Sequence, residues 1–497
     1  MRILRRELYC TAAHAPKSGG ASSVEGTAGE RRVRRGSSVR AVTMGGVTHD
    51  NTSPDDTRAA RVRWSDLPLA AKLMLVSIVF DFVGTGLIMP FGVTYLHEVR
   101  HLSLQVTGIL LALPAIVGLL AVGPGGVVID RVGARRVVIT AVGLEITGQL
   151  LMAGAHDVGR AALALTLSGI ATGVIFPAVQ AMVASVMPSD QRQFFFGLNF
   201  TLLNLGMGIG GVLGGAIVDV TRPSTFELVY VIDAATFLVP LALYLGPLRH
   251  HGGRVEHPSS PDGDAPRGGY AQVLREPTMR LLVLLGFITA FIGYAQFGVG
   301  FQAFARSVAH VSTQVLGWAY AANTAVIVVV QILVLRLVSG RRRTRALLLM
   351  CGLWSLSWAV LGLAGWSGER SATMAGVLVC ASAAIFGVGE TFLQPTLPAM
   401  VNDLAPDALR GRYNSASAGA FHLAEIVGPP FAGLLIGHAL AGWYTLALVL
   451  GCVGAAAVTL AVERRLSPAV NGLGAPREPD VAGELALEVQ RAKLSGE

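Results

Sequence analysis

Twelve long apolar stretches, separated by short polar segments, run along most of this chain. Each stretch approaches the roughly 20 residues that a helix needs to cross the hydrocarbon core of a bilayer. We predict spans at residues 69–96, 104–129, 137–155, 161–186, 198–218, 226–247, 280–304, 314–338, 346–366, 372–401, 413–438 and 440–462. The turn between the last two spans is the tightest, because only His438 to Trp443 are available to form it.

Composition supports an integral membrane protein. The 497 residues are 52% hydrophobic and only 14% charged, whereas a soluble domain carries about 25% charged residues. The four cysteines, Cys10, Cys351, Cys380 and Cys452, are scattered, and three of them lie in apolar runs. They predict neither a disulfide framework nor a metal site. We therefore expect an all-α membrane protein with the lipid bilayer as its surroundings.

The basic residues are distributed unevenly between the two sides of the predicted membrane. Of 39 Lys and Arg residues, those on the side opposite the termini are Arg100, Arg160, Arg222, Arg306 and Arg370. This bias predicts that both termini are cytoplasmic and that the protein is a multi-pass protein of the inner (plasma) membrane. It also accounts for the net charge of +8, so we expect no nucleic-acid partner. No secretory signal peptide precedes Leu69, and the first span should direct insertion.

The polar segments divide the chain into five parts. We predict a basic, disordered cytosolic tail at 1–66, a six-helix bundle at 67–248, a Gly- and Pro-rich cytosolic linker at 249–279, a second six-helix bundle at 280–463 and a cytosolic tail at 464–497. The Arg31–Arg35 cluster in the first tail is open to two interpretations. It contacts anionic lipid headgroups, or it has no such role, because it lies in a disordered tail or upstream of a true start at Met44.

An internal repeat relates the two predicted bundles. Residues 169–215 align without a gap to residues 387–433. The matched pairs include Gly169/Gly387, Pro177/Pro395, Met182/Met400, Pro188/Pro406, Arg192/Arg410, Gly210/Gly428 and Gly215/Gly433. A repeat in a strongly apolar chain is typical of transporters built from two pseudo-symmetric halves. We therefore predict two pseudo-symmetric bundles of six helices.

The loop after the second span contains a Gly, three residues, and then Asp-Arg-x-Gly-x-Arg. The residues concerned are Gly126, Asp130, Arg131, Gly133, Arg135 and Arg136. The pattern resembles the signature loop of the major facilitator superfamily, and the resemblance covers roughly residues 67–463. It implies the fold of that family and a role for the loop as a cytosolic latch of the outward-facing state. The equivalent segment at 340–345 keeps the Gly and the positive charges but lacks the Asp, so the latch should be asymmetric.

The fifth span carries closely spaced glycines. They are Gly206, Gly210, Gly211, Gly214 and Gly215, and the repeat supplies Gly428, Pro429 and Gly433. The segment resembles the antiporter motif of drug–proton exchangers of the family, except that Gly211 replaces a Pro that the second copy keeps as Pro429. Glycines four residues apart also suit plain helix packing, and both interpretations stay open. The Arg that such exporters carry in the fourth span is replaced here by Leu165.

Acidic residues inside the predicted spans are the candidate coupling groups. Asp81, for example, lies about 14 Å into the bilayer, counted from Lys72 at 1.5 Å per residue. An ionised side chain at such depth costs at least about 2.5–3 kcal/mol, and a protonated acid avoids that cost. The candidates for proton coupling or for lining a substrate cavity are Asp81, Glu145, Asp233, Glu390, His422 and Glu425. Each has a purely structural alternative, such as local capping or packing.

These features together predict a secondary active transporter that works by alternating access. Acids without basic partners favour export of a hydrophobic or cationic, drug-like small molecule in exchange for protons. We expect a monomer that is not an enzyme and has no cofactor. A proton-coupled uptake transporter is the first alternative. A membrane zinc protease is a distant one, because residues 97–101 match H-E-x-x-H, a motif that also needs a third ligand and a catalytic water.

Overall fold

The computed structural model describes Trp64, Val273 and residues 67–187, 189–250, 275–338, 340–406 and 409–473. Most of the predicted tails at 1–66 and 464–497, and of the predicted linker at 249–279, lies outside these residues. Within the described part, twelve helices are long and apolar enough to cross a membrane, as predicted. Numbered α1 to α12, they span Leu69–Val99, Leu104–Val132, Ala134–Ala153, Val158–Val186, Ser189–Ile217, Pro223–Leu245, Pro277–Ser307, Thr313–Val338, Arg343–Gly368, Ala372–Leu404, Arg410–Gly437 and Ala441–Glu463.

Most of the helices are longer than the apolar stretches from which they were predicted. Helix α5 begins at Ser189 rather than at 198, because the polar and aromatic residues before its apolar core continue the same helix. The tight turn before α12 also forms as expected. Helix α11 ends at Gly437, α12 begins at Ala441, and Ala439 between them adopts a positive φ of 60°.

Helices α1 and α7 contain 3₁₀ or π-helical segments inside their spans. In α1, Met89–Phe91 form a 3₁₀ turn and Tyr95–Val99 a π-helical turn. In α7, Phe291–Gly300 are π-helical. Such irregular segments are frequent at functional sites, and here they fall at equivalent places, since α1 and α7 each open one bundle.

The two bundles form as the repeat predicts. Helices α1 to α6 pack with one another, mainly α1 on α5 and α4 on α2 and α3. Helices α7 to α12 pack in the same manner, with α10 on α8 and α9. The bundles meet where α5 lies against α8 and where α2 lies against α11. The prediction of two pseudo-symmetric six-helix bundles is confirmed.

We call the face that carries the α1–α2, α5–α6, α7–α8 and α11–α12 turns the distal face. The face where α1 begins and α12 ends is the terminal face. The distal turns repeat in detail: His101 and His310 adopt positive φ values of 56° and 53°. Ser103 and Ser312 then each accept a hydrogen bond at 3.3 Å from the backbone N–H three residues later. The pseudo-symmetry therefore extends to individual turns.

The core of the second bundle is aromatic. The Phe386 ring stacks on Trp354 with centroids 4.7 Å apart and on Phe297 at 4.5 Å. Gly293 and Gly389 leave the room for this indole, because a Cβ at either position would collide with Trp354. The stack ties α7, α9 and α10 together and supports the wall that α7 presents to the first bundle.

Residues just beyond α12 fold back onto the terminal face. Asn471 accepts a hydrogen bond from the Thr344 backbone N–H through Oδ1 at 3.0 Å and one from the Arg343 N–H through its carbonyl oxygen at 2.9 Å. Its Nδ2 donates to the Thr344 hydroxyl at 3.2 Å. These bonds satisfy N–H groups that the first turn of α9 would otherwise leave unpaired.

Candidate transport cavity and inter-bundle contacts

A cavity of about 430 Å³ lies between the two bundles. Helices of the first bundle form most of its wall, and α7 closes it from the second. Its polar lining consists of Asp81, Thr85, Glu145, Gln149, Ser168, Thr172, Tyr230 and Gln302. Among the described residues that line it there is no Lys, Arg or His, and Leu165 of α4 is part of the wall. The cavity is thus a mainly apolar space with two carboxylic acids.

The two acids differ in their surroundings. Glu145 on α3 is buried, and its Oε2 accepts hydrogen bonds from Ser168 Oγ at 2.9 Å and from Gln149 Nε2 at 3.5 Å. No hydrogen bond or ion pair from a described residue reaches the Asp81 carboxyl group. Asp81 also borders a small second cavity beside Tyr244. Of the two acids, Asp81 therefore has its carboxyl group free to bind a proton or a ligand.

Asp233 on α6 lies behind the cavity wall rather than in it. Its side chain is fully buried, and neither carboxylate oxygen has a hydrogen-bond partner within the described chain. It lies within electrostatic range of Asp81 and Glu145. Gly84 of α1 makes room for it, because a Cβ there would collide with Asp233 Oδ1 and Thr236 Oγ1. The three acids predicted in the first bundle thus form one group.

The acids of the second bundle gather around Tyr294 of α7. Its hydroxyl accepts a hydrogen bond from Gln394 Nε2 at 2.6 Å, interacts with the Glu390 carboxyl group and lies within electrostatic range of Glu425. Tyr294 lines a second large cavity, of about 590 Å³, toward the terminal face. His422 packs edge-on against Phe421, and no ion pair joins it to Glu425 in the part of the chain that the structure describes.

The predicted latch residues lie on the terminal face. Gly133 takes the positive φ of 92° that turns the chain between α2 and α3, and Arg135 Nε donates to the Tyr244 carbonyl oxygen at 2.7 Å. Gly126, Asp130, Arg131 and Arg136 lie nearby on the same hairpin. Asp130 is exposed and pairs with no described cation. The latch role stays a prediction.

The second-bundle equivalent of this loop is occupied by ion pairs. Gly340 turns the chain with a positive φ of 70°. Arg342 pairs with Glu463 at 2.9 Å and Arg343 with Asp403 at 2.5 Å. Both partners belong to the second bundle, so these ion pairs hold the loop against its own bundle and not against the first.

The glycines of α5 form two rows with different partners. In the first row, Gly206 and Gly210 face α1, where a Cβ at Gly210 would lie 2.7 Å from Gly86 Cα; Gly214 continues this row. In the second row, Gly211 and Gly215 face α8 of the other bundle. A Cβ at Gly215 would lie 2.9 Å from the Thr313 carbonyl oxygen. One row builds the first bundle, and the other lets the two bundles meet.

Helix α11 repeats this division. Gly428 faces α7 of its own bundle, where a Cβ would collide with Ala295. Pro429 and Gly433 face α2 of the other bundle: a Cβ at Gly108 would lie 2.5 Å from the Pro429 carbonyl oxygen, and one at Gly433 would collide with Leu104. These inter-bundle contacts lie toward the distal face, whereas a Cβ at Gly126 or Gly419, toward the terminal face, would meet nothing within 4 Å. The bundles are therefore closed together on the distal side.

Glu98 within the H-E-x-x-H segment is bound by a residue of the other bundle. Arg306 Nε on α7 donates to Glu98 Oε1 at 2.8 Å. His97 Nδ1 lies 2.7 Å from the Leu102 carbonyl oxygen, and His101 adopts its positive φ after the helix has ended at Val99. A zinc protease needs both histidines on one helical face with the glutamate free to act as a base. This geometry does not fit that alternative.

Gln302, Tyr294 and Arg306 are residues of the site that the sequence analysis did not single out. Gln302 and Tyr294 are polar residues within the apolar span 280–304, and Arg306 was considered only for its effect on membrane orientation. The pairing of Arg306 with Glu98 joins positions in different halves of the chain, so local patterns carry no sign of it. A Gln inside a span was a usable signal for Gln302, because a buried amide must find partners.

Comparisons with known proteins agree with this architecture. The family model described as Major Facilitator Superfamily matches residues 74–380 and 310–493. The uncharacterized MFS-type transporter YttB of Bacillus subtilis (strain 168) is 24% identical over 410 residues, which make up 81% of this chain and 97% of that protein. The quinolone resistance protein NorA of Staphylococcus aureus is 23% identical over 175 residues, or 35% of this chain and 45% of NorA.

A solved structure with a similar fold is that of a bacterial homolog of the human lysosomal transporter Spinster, in an inward-facing and unoccupied conformation. It aligns with a TM-score of 0.60 at 16% identity and covers 80% of this chain and 96% of its own. At this level of identity the likeness shows the fold alone.

Proposed function

The chain belongs to the Major Facilitator Superfamily, and from this premise we propose that it exports a hydrophobic or cationic, drug-like small molecule across the plasma membrane in exchange for protons. The transport cycle would alternate access to the cavity between the two bundles. The terminal face would be cytosolic, as the distribution of basic residues predicts. The distally closed arrangement would then be the state that receives substrate from the cytosol.

The cavity between the bundles carries this proposal. It presents Asp81 and Glu145 in a mainly apolar wall, with no basic side chain among its described lining residues. An anionic substrate would leave three like charges together in a space with little water, which is strongly unfavourable. A lipophilic cation instead gains a carboxylate partner, and Phe82, Tyr230 and Phe237 in the same wall offer aromatic faces to it.

Exchange with protons follows from competition for the same carboxyl group. When a cation leaves, an ionised Asp81 would be left unpaired in an apolar wall, and binding a proton removes that charge. When the proton leaves on the other side of the membrane, Asp81 can bind a cation again. Asp233 lies behind the wall without a partner for either oxygen, so it is a second position at which a proton can be held.

The likeness to NorA supports the choice of substrate class. NorA is named for quinolone resistance, and its match to this chain covers 35% of the chain at 23% identity. The absence of an Arg in the fourth span is compatible with the same proposal, because Leu165 in its place keeps a positive charge out of the cavity wall. The proton step must then depend on acids alone.

The test is transport of tetraphenylphosphonium, a lipophilic cation, by purified protein in liposomes with an imposed pH gradient. We expect substrate movement against its gradient, with proton movement in the opposite direction reported by an internal pH dye. Asp81→Asn should abolish proton-driven movement, and Glu145→Gln should weaken cation binding. Glu369→Gln is the matched control, because Glu369 is an exposed acid in a distal turn and should leave both signals unchanged.

Unchanged proton-driven transport in Asp81→Asn would rule out the assigned role of Asp81. The same vesicles also show the direction of substrate movement relative to proton movement. Movement of substrate and protons the same way would instead identify proton-coupled uptake, which is the alternative that the sequence leaves open.

A further inference from the structure

Gln302 of α7 both lines the cavity and crosses to the other bundle. It is 2% exposed. Its Nε2 donates to the Met89 carbonyl oxygen of α1 at 2.8 Å, and its Oε1 accepts from the Val93 backbone N–H at 3.3 Å. Met89 O and Val93 N are the two atoms that an uninterrupted α-helix would bond to each other. The side-chain amide therefore bridges a backbone pair of α1.

The backbone of α1 is broken at this place. Pro90 lies in the 3₁₀ turn Met89–Phe91, and Phe91 has φ −120° and ψ 5°, outside the α-helical range. Proline has no backbone N–H, and its ring clashes with the preceding turn. In a membrane, the backbone groups that such a break exposes must be satisfied by other parts of the protein. Gln302 supplies both a donor and an acceptor.

Gln302 is fixed on its own side as well. Gln302 Nε2 also donates to the Gly298 carbonyl oxygen and lies 3.1 Å from the Tyr320 hydroxyl of α8. That hydroxyl in turn donates to the Phe297 carbonyl oxygen at 2.8 Å. One turn further toward the distal face, Arg306 binds Glu98. Helices α7 and α1 are thus joined at two successive turns, and only the inner of the two contacts touches the cavity.

We infer that Gln302 is a positioning residue that couples the cavity to the distal closure. With the distal side closed, its amide completes the broken turn of α1. When the bundles separate, Met89 O and Val93 N bond to each other, α1 becomes continuous, and the Gln302 amide is released into the cavity. A ligand that hydrogen-bonds to this amide competes with α1 and so favours distal opening. The inference rests on the alternating-access part of the proposed function.

The role inferred for Gln302 can be tested by measuring the distance between two spin labels across the distal face. Spin labels are attached at Arg222→Cys and Glu369→Cys, two exposed positions in distal turns of different bundles, in a chain whose four native cysteines are replaced. In lipid nanodiscs, Gln302→Ala should raise the ratio of distally open to closed protein roughly tenfold or more, since two inter-bundle hydrogen bonds are lost. Gln296→Ala is the control: its amide is also buried on α7, but it donates to the Gly428 carbonyl oxygen of its own bundle at 3.2 Å, so the ratio should not change.

A second variant keeps the test decisive if Gln302→Ala does not fold. Pro90→Ala leaves Gln302 intact but lets α1 become continuous, and it should also favour distal opening. If both variants give the same distance distribution as the unsubstituted protein, the inference is overturned, whatever the result of the transport assays. A third outcome would separate the inference from the proposed exchange. If Gln302→Ala opens the distal side, but neither tetraphenylphosphonium nor a change of pH opens the unsubstituted protein, the role of Gln302 is supported and the proposed exchange is not.

Discussion

Glu98 and Arg306 form an ion pair that joins α1 to α7 at the distal face. Two guanidinium nitrogens reach the two carboxylate oxygens, a bidentate geometry that is stronger than a single contact. The Arg306 and Glu98 side chains are 11% and 25% exposed, so water screens the pair only partly. Arg306 also donates to the Val311 carbonyl oxygen of its own bundle. Because Glu98 and Arg306 belong to different bundles, we expect the pair to stabilise the distally closed state.

Breaking this ion pair should open the distal side. Glu98→Gln leaves the largely buried guanidinium without its charge partner, and we expect the closed state to lose about 1–2 kcal/mol relative to the open one. The measurement is the label distance between positions 222 and 369, repeated in Arg306→Gln and in the double variant. The double variant should cost little more than either single one.

The matched control for that cycle is Glu227→Gln. Glu227 pairs with Arg100 at 2.8 Å on the same face, but both belong to the first bundle. It should change the melting temperature without changing the distance distribution. Additive effects of the two substitutions at Glu98 and Arg306 would show that the pair does not hold the bundles together.

The two glycine rows of α5 should give two distinct phenotypes. Gly215→Ala places a methyl group against the Thr313 backbone of the other bundle, which can be relieved by distal opening. The variant should fold normally and shift toward the distally open state. Gly210→Ala places it against Gly86 of its own bundle, where overpacking costs about 1–3 kcal/mol. That variant should lose thermal stability instead.

Thermal melting and label distances, measured on the same preparations, separate these effects. Gly197→Ala is the control, because a Cβ there would meet no atom within 4 Å. A fall in melting temperature of equal size in Gly215→Ala and Gly210→Ala would contradict the division into two rows.

The absence of a side chain at Gly84 should be needed to leave room for the buried Asp233 side chain. Gly84→Ala introduces a methyl group where Asp233 Oδ1 and Thr236 Oγ1 already lie, and we expect a loss of about 1–3 kcal/mol in stability. The melting temperature should recover in part when Asp233→Ala and Thr236→Ala are added. Gly143→Ala on α3, where a Cβ would contact nothing within 4 Å, should melt as the unsubstituted protein does. No recovery in the triple variant would locate the strain elsewhere.

Asn471 should act as a cap for α9. Asn471→Ala removes the acceptor of the Thr344 N–H and the donor to its hydroxyl, and loss of a cap costs about 0.5–2 kcal/mol. A chain shortened after Leu466 should show a larger loss, because the backbone bond to Arg343 is removed as well. Equal melting temperatures for Asn471→Ala and the unsubstituted protein would show that the segment is passive.

Hydropathy predicts most of the fold because a bilayer leaves the backbone few alternatives to long helices. All twelve spans were predicted in this way, and the two pseudo-symmetric bundles were predicted from the internal repeat. The repeat of residues 169–215 at 387–433 also predicts which residues take equivalent positions: Gly215 meets Thr313 and Gly433 meets Leu104, the first residues of α8 and α2.

A second repeat was overlooked although its signal is in the chain. Residues 101–108 and 310–317 both read His-x-Ser-x-Gln-Val-x-Gly, and they form the two equivalent distal turns. The residues around the cavity were predicted only as isolated acids. Their grouping depends on how α1, α3 and α6 pack, and the contacts of Gln302 depend on the break in α1. The periodicity of the sequence along one helix predicts neither the grouping of the acids nor the contacts of Gln302.

Where α5 meets α8 and α2 meets α11 on the distal side, glycines lie directly against backbone carbonyl groups. Ordering a long side chain costs up to about 2 kcal/mol of rotamer entropy, whereas glycine has none to lose. Closing these surfaces therefore freezes few side chains, and separating them releases few. The closed and open states can therefore stay close in free energy, so that a small difference is enough to decide between them.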